Sequence, residues 1–375
     1  MVTPKRDSHA LPNGEQKFAY LPGLDGWRAV AILSVILYHS TVHTAGIFST
    51  VWAWRFGYHG VDIFFAISGL LITSKLLEEE KSSGRISLRN FYLRRAFRIL
   101  PAAIVYLGSI ALLAGLRLIY VSRMEWFASL FFYRNYSSLY HIDQTLGLPW
   151  FTTHFWSLSL EEHFYLVLPA LLVLTRGKTR IVSLVLIILT VIAHRQLELA
   201  HRQWFTIVFH TDIRLDALLI PALFAVMSRS GVFGRHFNSF IRRWHLAFVL
   251  GFLLLLRWPE GSGFKMTAVA IVMPGIVLGT VLKPESLGTR LLEWRPLRWI
   301  GRISYGLYLW QQLFFTQRFL LWRPLGRLET WPFNLVLTFL MAALSYYAVE
   351  RPLIRLGHRL TRSRSNSIVR AGETV

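Results

Sequence analysis

Long apolar runs, each bounded by charged or turn-forming residues, dominate the chain from residue 27 to residue 348. Runs of about 17–22 residues are long enough to carry an α-helix across the hydrocarbon core of a bilayer. They fall near 27–46, 60–77, 99–119, 155–175, 180–194, 211–228, 245–257, 266–282, 303–322 and 331–348, several of them short or interrupted. The pattern predicts an all-α, polytopic integral membrane bundle of about ten transmembrane helices. One further stretch, 124–140, is apolar and aromatic but carries Glu125, Arg134 and Asn135. It reads as an interfacial or re-entrant segment on the outer side.

Charge orients these runs. With the N-terminus inside, loops 78–98, 176–180, 229–244 and 283–302 and both tails are cytoplasmic, and hold roughly 27 Lys/Arg against about nine opposite. The expected organisation is a cytoplasmic arm over 1–26, a membrane unit over 27–350 and a basic cytoplasmic tail over 351–375. On this reading the net charge of +21 reflects inner loops, and no nucleic-acid partner is expected. A chain that is 54% hydrophobic, with a mean hydropathy of +0.42, lies outside the range of soluble globular proteins. The absence of cysteine excludes disulfides, thiolate zinc sites and a cysteine nucleophile. Neither a cleavable signal nor an internal repeat is evident, and no metal site is expected.

Polar residues inside apolar helices carry the candidate chemistry. Arg28 and His39 share the first run. Eleven residues make three turns plus about 20°, so both lie on one helix face roughly 16 Å apart. A central charge costs about 2.5–3.5 kcal/mol on insertion scales, which points to a site within the membrane. The plainer alternative has Arg28 snorkelling inward and His39 capping the outer end. In the second run, Asp62 lies near the outer end, either complementing the helix dipole or orienting His39. Ser68 and Gly69 suit close helix packing.

Glu161, Glu162, His163 and Tyr165 open the fourth run. Neighbouring residues diverge by about 100°, so one glutamate should face the site and the other the rim. Arg214 and Asp216 begin another run, as substrate groups or as a mutually neutralising pair. Ser304, Tyr305, Tyr308 and Gln311 follow late in the chain, where the aromatics also suit an interface belt. Glu350 is expected to tie to nearby arginines. Arg94, Arg95 and Arg98 crowd the start of the third run, with Pro101 in its first turn. They would anchor lipid headgroups, or Arg95 and Arg98 together would clamp a phosphate-bearing donor.

The ordered blocks Arg28…His39, GVDIFFAISG, RRAFRILP, WSLSLEEHFY, ISYGLYLW and ERP resemble the acyltransferase 3 family across about residues 21–353. The resemblance implies a bacterial inner-membrane O-acyltransferase that moves acetyl or another short acyl group onto surface polysaccharide, lipopolysaccharide or a related glycan. It implies a catalytic His39 with an essential Arg28, an acyl-CoA role for Arg95 and Arg98, and Glu161 as the glutamate of its block. His163 and Gln311 depart from the family's usual glutamine and histidine, and neither is expected to touch the core pair. No appended esterase-like domain is expected, so that transfer would finish within the membrane unit or on a separate partner.

The chemistry this implies is removal of a proton from a sugar hydroxyl as it attacks a thioester. His39 would be the base or an acyl carrier, and Asp62 or Glu161 would hold its ring. Arg28 would stabilise the oxyanion or bind donor phosphate. Tyr165, Arg214 and Tyr305 complete the expected substrate-binding set. The expected partners are acyl-CoA as donor substrate, a carbohydrate acceptor and the lipid bilayer, with no permanently bound cofactor; oligomeric state is left open. A transporter or flippase using the same charges as a pathway is the alternative reading, and a non-catalytic scaffold leaves those charges without explanation.

Overall fold

Helix boundaries follow local capping chemistry. In the computed structural model, residues 22–43, 51–136, 150–231, 233–315 and 330–372 are described. The first helix, α1 (Pro22–His43), starts on a proline and carries Asp25 in its first turn, which complements the positive helix end. A short α2 (Val51–Tyr58) leads into α3 (Gly60–Ser83), which ends on Gly84 at φ 72°, the left-handed conformation that glycine adopts freely. Next comes α4 (Leu88–Gly115), capped by Ser87, whose hydroxyl accepts the Asn90 amide at 3.4 Å. The supposed inner loop 78–98 is thus mostly helix. Pro101 accordingly lies inside α4 rather than in a first turn.

Among its described residues, the apolar stretch after α4 forms α5 (Arg123–Leu130), eight residues long and far too short to span, and a 3-10 turn over 134–136. Glu125 serves a capping box with Ser122 and faces Arg134 at 3.8 Å. Residues 137–149 of this region lie outside the described residues. A four-residue α6 (Trp150–Thr153) runs into α7 (Phe155–Leu174), followed by α8 (Gly177–His201). Two short helices, α9 (Trp204–Ile207) and α10 (Thr211–Arg214), precede α11 (Asp216–Arg229) and α12 (Gly234–Leu255). Then come α13 (Gly263–Val281), α14 (Leu287–Leu292), α15 (Arg295–Arg302) and α16 (Ser304–Phe314). The described chain closes with α17 (Phe333–Ser345), a π-turn over Tyr346–Glu350 and α18 (Arg351–Gly372).

Helices line up with all ten expected runs, but fewer satisfy the requirements for crossing a bilayer. Among the described residues six helices are long and apolar enough, and seven if α11 and α12, bent by 119°, count as one span. The six do not include α1, whose apolar run is diluted by Asp25, Arg28 and His39. Described residues of the ninth run stop at 315, and the basic tail is the amphipathic α18. The expected arm 1–26 lies outside the described residues up to residue 21, and α1 takes up its remainder.

Burial separates central from peripheral helices. Most of α3's apolar window is enclosed, whereas that of α8 is mainly exposed. Leu246, Leu250 and Leu254 recur every fourth residue on the outside of α12, as do Val336, Leu340 and Leu344 on α17. Apolar stripes of this kind face lipid. Three buried clusters hold the bundle together. One joins α1, α4, α7 and α16, the second α3, α7, α8 and α11, and the third α1, α3, α12 and α13. Gly69 allows α3 to approach α11 closely, because a Cβ there would lie 2.5 Å from the Leu218 carbonyl oxygen. Gly69→Ala must therefore push the two helices apart. Overpacking costs of about 1–3 kcal/mol lead us to expect a lower thermal midpoint in detergent, measured by intrinsic fluorescence.

Candidate functional site

A cleft enclosing about 840 Å³ of empty space opens between α1, α3, α4, α7 and α16. It gathers Arg28, Arg95, Arg98, Glu161, Tyr165 and Tyr305, six of the nine residues expected to act together. Arg28 reaches it from α1 with its guanidinium tied to Asp25 at 2.8 Å. Arg95 and Arg98 sit three apart on α4 and so share a face. Arg95 stacks over the Tyr165 ring, 5.1 Å from its centroid, and over Phe91 at 5.7 Å. Neither Arg95 nor Arg98 has a salt bridge among the described residues, whereas adjacent Arg94 pairs with Glu79 at 3.1 Å. Arg94 is thus spoken for, and the other two guanidiniums face the cleft.

The opposite wall is carboxylate. Glu161 accepts from Tyr165 Oη at 2.7 Å and from Ser68 Oγ at 3.2 Å. Glu162 lines the same cleft, so the expectation that only one glutamate would face it is corrected. Both fit because α7 presents its edge to the cavity, and two side chains 100° apart then straddle it. Tyr305 donates to the Ile99 carbonyl oxygen at 2.9 Å, locking α16 to α4. Tyr308 reaches across to α7, where its hydroxyl lies 2.6 Å from Ser157 Oγ. Glu350 accepts from Ser345 Oγ at 3.1 Å instead of forming the arginine tie expected for it.

His39, Asp62 and Arg214 lie elsewhere. His39 Nδ1 is 2.6 Å from Oε1 of the fully buried Gln311. An amide oxygen only accepts, so Nδ1 carries the proton and Nε2 keeps its lone pair. Gln311 Nε2 in turn donates to the Tyr308 carbonyl oxygen at 3.4 Å, which fixes the orientation of the amide, and lies 3.1 Å from Gln312 Oε1. The residue that departs from the family pattern is therefore the ring's partner. Neither Asp62 nor Glu161 takes that place, and the view that Gln311 stands apart from the core pair is corrected.

Asp62 instead accepts from Arg214 at 2.6 Å and from His59 Nδ1 at 2.7 Å. Arg214 packs over the Trp156 ring at 5.3 Å, and Asp216 is paired with Arg195 at 2.9 Å. The supposed Arg214–Asp216 pair is thus two separate pairs, with partners drawn from α3 and α8. Asp62, Arg214 and Asp216, together with Glu260 and Lys265, line a second, smaller pocket at the opposite end of α3 from Gly84. Sequence reading named Ser68, Tyr308 and Gln311 without assigning them to the site, and did not single out Ser157. The signal available for the last three was their spacing: Ser157 sits one turn before Glu161, and Gln311 one turn after Tyr308.

With this geometry in place, comparison with known proteins is informative. The chain belongs to the acyltransferase 3 family, whose acyltransferase domain matches residues 21–350. It is similar to the "Putative peptidoglycan O-acetyltransferase YrhL" of Bacillus subtilis (strain 168), at 31% identity over 367 residues, covering 92% of this chain and 56% of that protein. The "O-acetyltransferase OatA" of Staphylococcus aureus is 29% identical over 370 residues, covering 91% of this chain and 58% of that protein. The chain thus spans a little over half the length of these curated relatives. No solved structure matches it.

Stability and chemistry are separable at Asp62. Removing one partner of a buried ion pair costs about 3–5 kcal/mol, because it leaves the other charge uncompensated. Asp62→Asn is expected to lower the thermal midpoint in detergent markedly. The double variant Asp62→Asn with Arg214→Met should recover most of that loss.

Proposed function

We propose that the protein is a membrane-bound O-acyltransferase that moves an acetyl or other short acyl group from acyl-CoA to a hydroxyl of a surface carbohydrate. One observation carries this reading. Arg95 and Arg98 face a large cleft between the helices and have no salt-bridged carboxylate among the described residues, as an anion clamp requires. The diphosphate and phosphate groups of a nucleotide thioester supply such an anion. Further along the same bundle, His39 has its ring held by Gln311 with Nε2 left as the basic nitrogen.

α1 connects the two features: Arg28 lines the cleft beside Arg95 and Arg98, and His39 lies eleven residues, or roughly 16 Å, further along the same helix. An extended pantetheine arm is suited to bridging such a separation. Phosphates held at the arginine end would direct the thioester towards the histidine end. There His39 Nε2 would take the hydroxyl proton as the sugar oxygen attacks, then return it to the departing thiolate. The same nitrogen as nucleophile would give an acyl-histidine intermediate. On this reading the arginine end and both termini face the cytoplasm, where acyl-CoA resides. The name borne by the Bacillus relative favours a peptidoglycan sugar over lipopolysaccharide as the acceptor. The membrane is then the bacterial cytoplasmic membrane.

Purified protein supplied with labelled acetyl-CoA and peptidoglycan fragments tests the scheme. His39→Ala is expected to reduce label transfer by about 10²–10⁴-fold, the usual contribution of a positioned acid–base group. Transfer at the unmutated rate would remove His39 from the chemistry. The double variant Arg95→Ala, Arg98→Ala should raise the acetyl-CoA KM by at least about tenfold, since each charge-assisted contact contributes roughly 1.5–3 kcal/mol. An unchanged KM would return those arginines to headgroup anchoring.

A further inference from the structure

A second histidine lies close to the first and has no structural task. His154 joins α6 to α7 and is 3% exposed. Neither ring nitrogen has a hydrogen-bond partner among the described residues. A neutral imidazole always carries one N–H, so a donor is buried here without an acceptor. Buried donors are rarely left in that state, and each instance calls for a reason. Packing alone would be served better by phenylalanine. The ring is enclosed by Tyr106 at 5.2 Å, Phe155 at 4.9 Å and Tyr308 at 5.5 Å between centroids, all meeting it edge to face or nearly so. Its orientation is therefore fixed by shape, with both nitrogens left unused.

Position supplies the reason. Tyr308 lines the cleft and donates its hydroxyl to the His154 carbonyl oxygen at 3.0 Å. One turn further along the same helix, Gln311 holds His39. The two histidines are thus brought to neighbouring positions by a single turn of α16, and His39 lies within electrostatic reach of His154. A base and an unused N–H donor so placed are the two groups that addition to a thioester requires.

We infer that His154 is a catalytic residue that donates its ring N–H to the acyl carbonyl oxygen during transfer. The inference rests on the proposed acyltransferase reading. The acceptor oxygen bonds to the thioester carbon while its proton passes to His39. The carbonyl oxygen becomes an oxyanion that accepts the His154 N–H. Collapse re-forms the carbonyl and breaks the C–S bond, and the thiolate takes the proton from His39. The products are an O-acyl ester and free CoA thiol, and His154 ends in its starting state. A preorganised donor in a dry pocket is among the stronger single contributions to acyl transfer.

Full-length protein in detergent or nanodiscs, assayed with acetyl-CoA and a glycan acceptor, tests the assignment through two variants. His154→Phe keeps the aromatic packing and removes the donor. It is expected to lower kcat by about 10²–10³-fold while leaving the thermal midpoint and acetyl-CoA affinity unchanged. His154→Gln restores a donor and should recover at least about tenfold of that loss. Should the phenylalanine variant not fold, His154→Met provides the donor-free comparison. Donor-free protein turning over at the unmutated rate overturns the inference, as does an equal loss in the glutamine variant with a lowered midpoint. His39→Ala is run alongside. If it retains full transfer, the underlying reading fails; if it is inactive while His154→Phe is not, only the role of His154 fails.

Discussion

A cation enclosed among apolar helices must find a counter-charge or a ligand, and this constraint sorts the arginines of the described bundle. Moving such a charge to the centre of a membrane helix costs about 2.5–3.5 kcal/mol on insertion scales. Arg195 meets the cost with Asp216, Arg214 with Asp62, and Arg180 with both oxygens of Glu80 at 2.9 and 3.1 Å. Those pairs are closed, and they pin α3 to α8 and to α10. Arg95 and Arg98 are left outside this scheme. They sense Glu161 across the cleft without touching it, and Arg98 also bears on Arg28. The cavity therefore holds two guanidiniums lacking a close carboxylate, plus a third held by Asp25. Glu161 and Glu162 stand on the facing wall without closing a salt bridge to either guanidinium among the described residues.

The sequence revealed the class of fold more readily than the partners within it. Apolar length and charge asymmetry are local properties, so the helical runs and the basic turns between them are visible in the residues themselves. Strict span length is harder to see, because a helix that carries function gives up apolar residues to do so. α1 is the case in point: Arg28 and His39 make it informative and also keep it out of the set that passes on hydropathy. Loop boundaries failed for a different reason. Residues 78–98 are charged, yet Gly84 and Ser87 confine the turn to a few positions and let α3 and α4 extend beyond the apolar runs. Partner choice failed most clearly. His39 and Gln311 are 272 residues apart, and Asp62 and Arg214 are 152 apart. No periodicity encodes such pairings, and charge alone favoured Asp62 for the histidine when a neutral amide holds it.

That amide suits its task. A carboxylate beside His39 would stabilise the imidazolium and hold the proton, whereas Gln311 fixes the tautomer without adding charge. Burying a neutral hydrogen bond also costs far less than burying an ion in lipid. Among the contacts described, the ring's hydrogen-bond partner is therefore a neutral amide.

Those neutral contacts come from one helix. Tyr305, Tyr308 and Gln311 follow one another at intervals of three on α16, and each such step turns the helix face by about 60°. Successive turns of α16 therefore meet successive neighbours. Tyr305 bonds to the α4 backbone beside Arg98, Tyr308 to α7 at Ser157 and His154, and Gln311 to α1 at His39. The helices carrying guanidinium, carboxylate and imidazole groups are thus registered by three side chains from a single short element. A shift of α16 by one residue would break all three bonds together. The register of α4, α7 and α1 against one another is consequently tied to the spacing of three residues on α16, and not only to the loops that connect these helices.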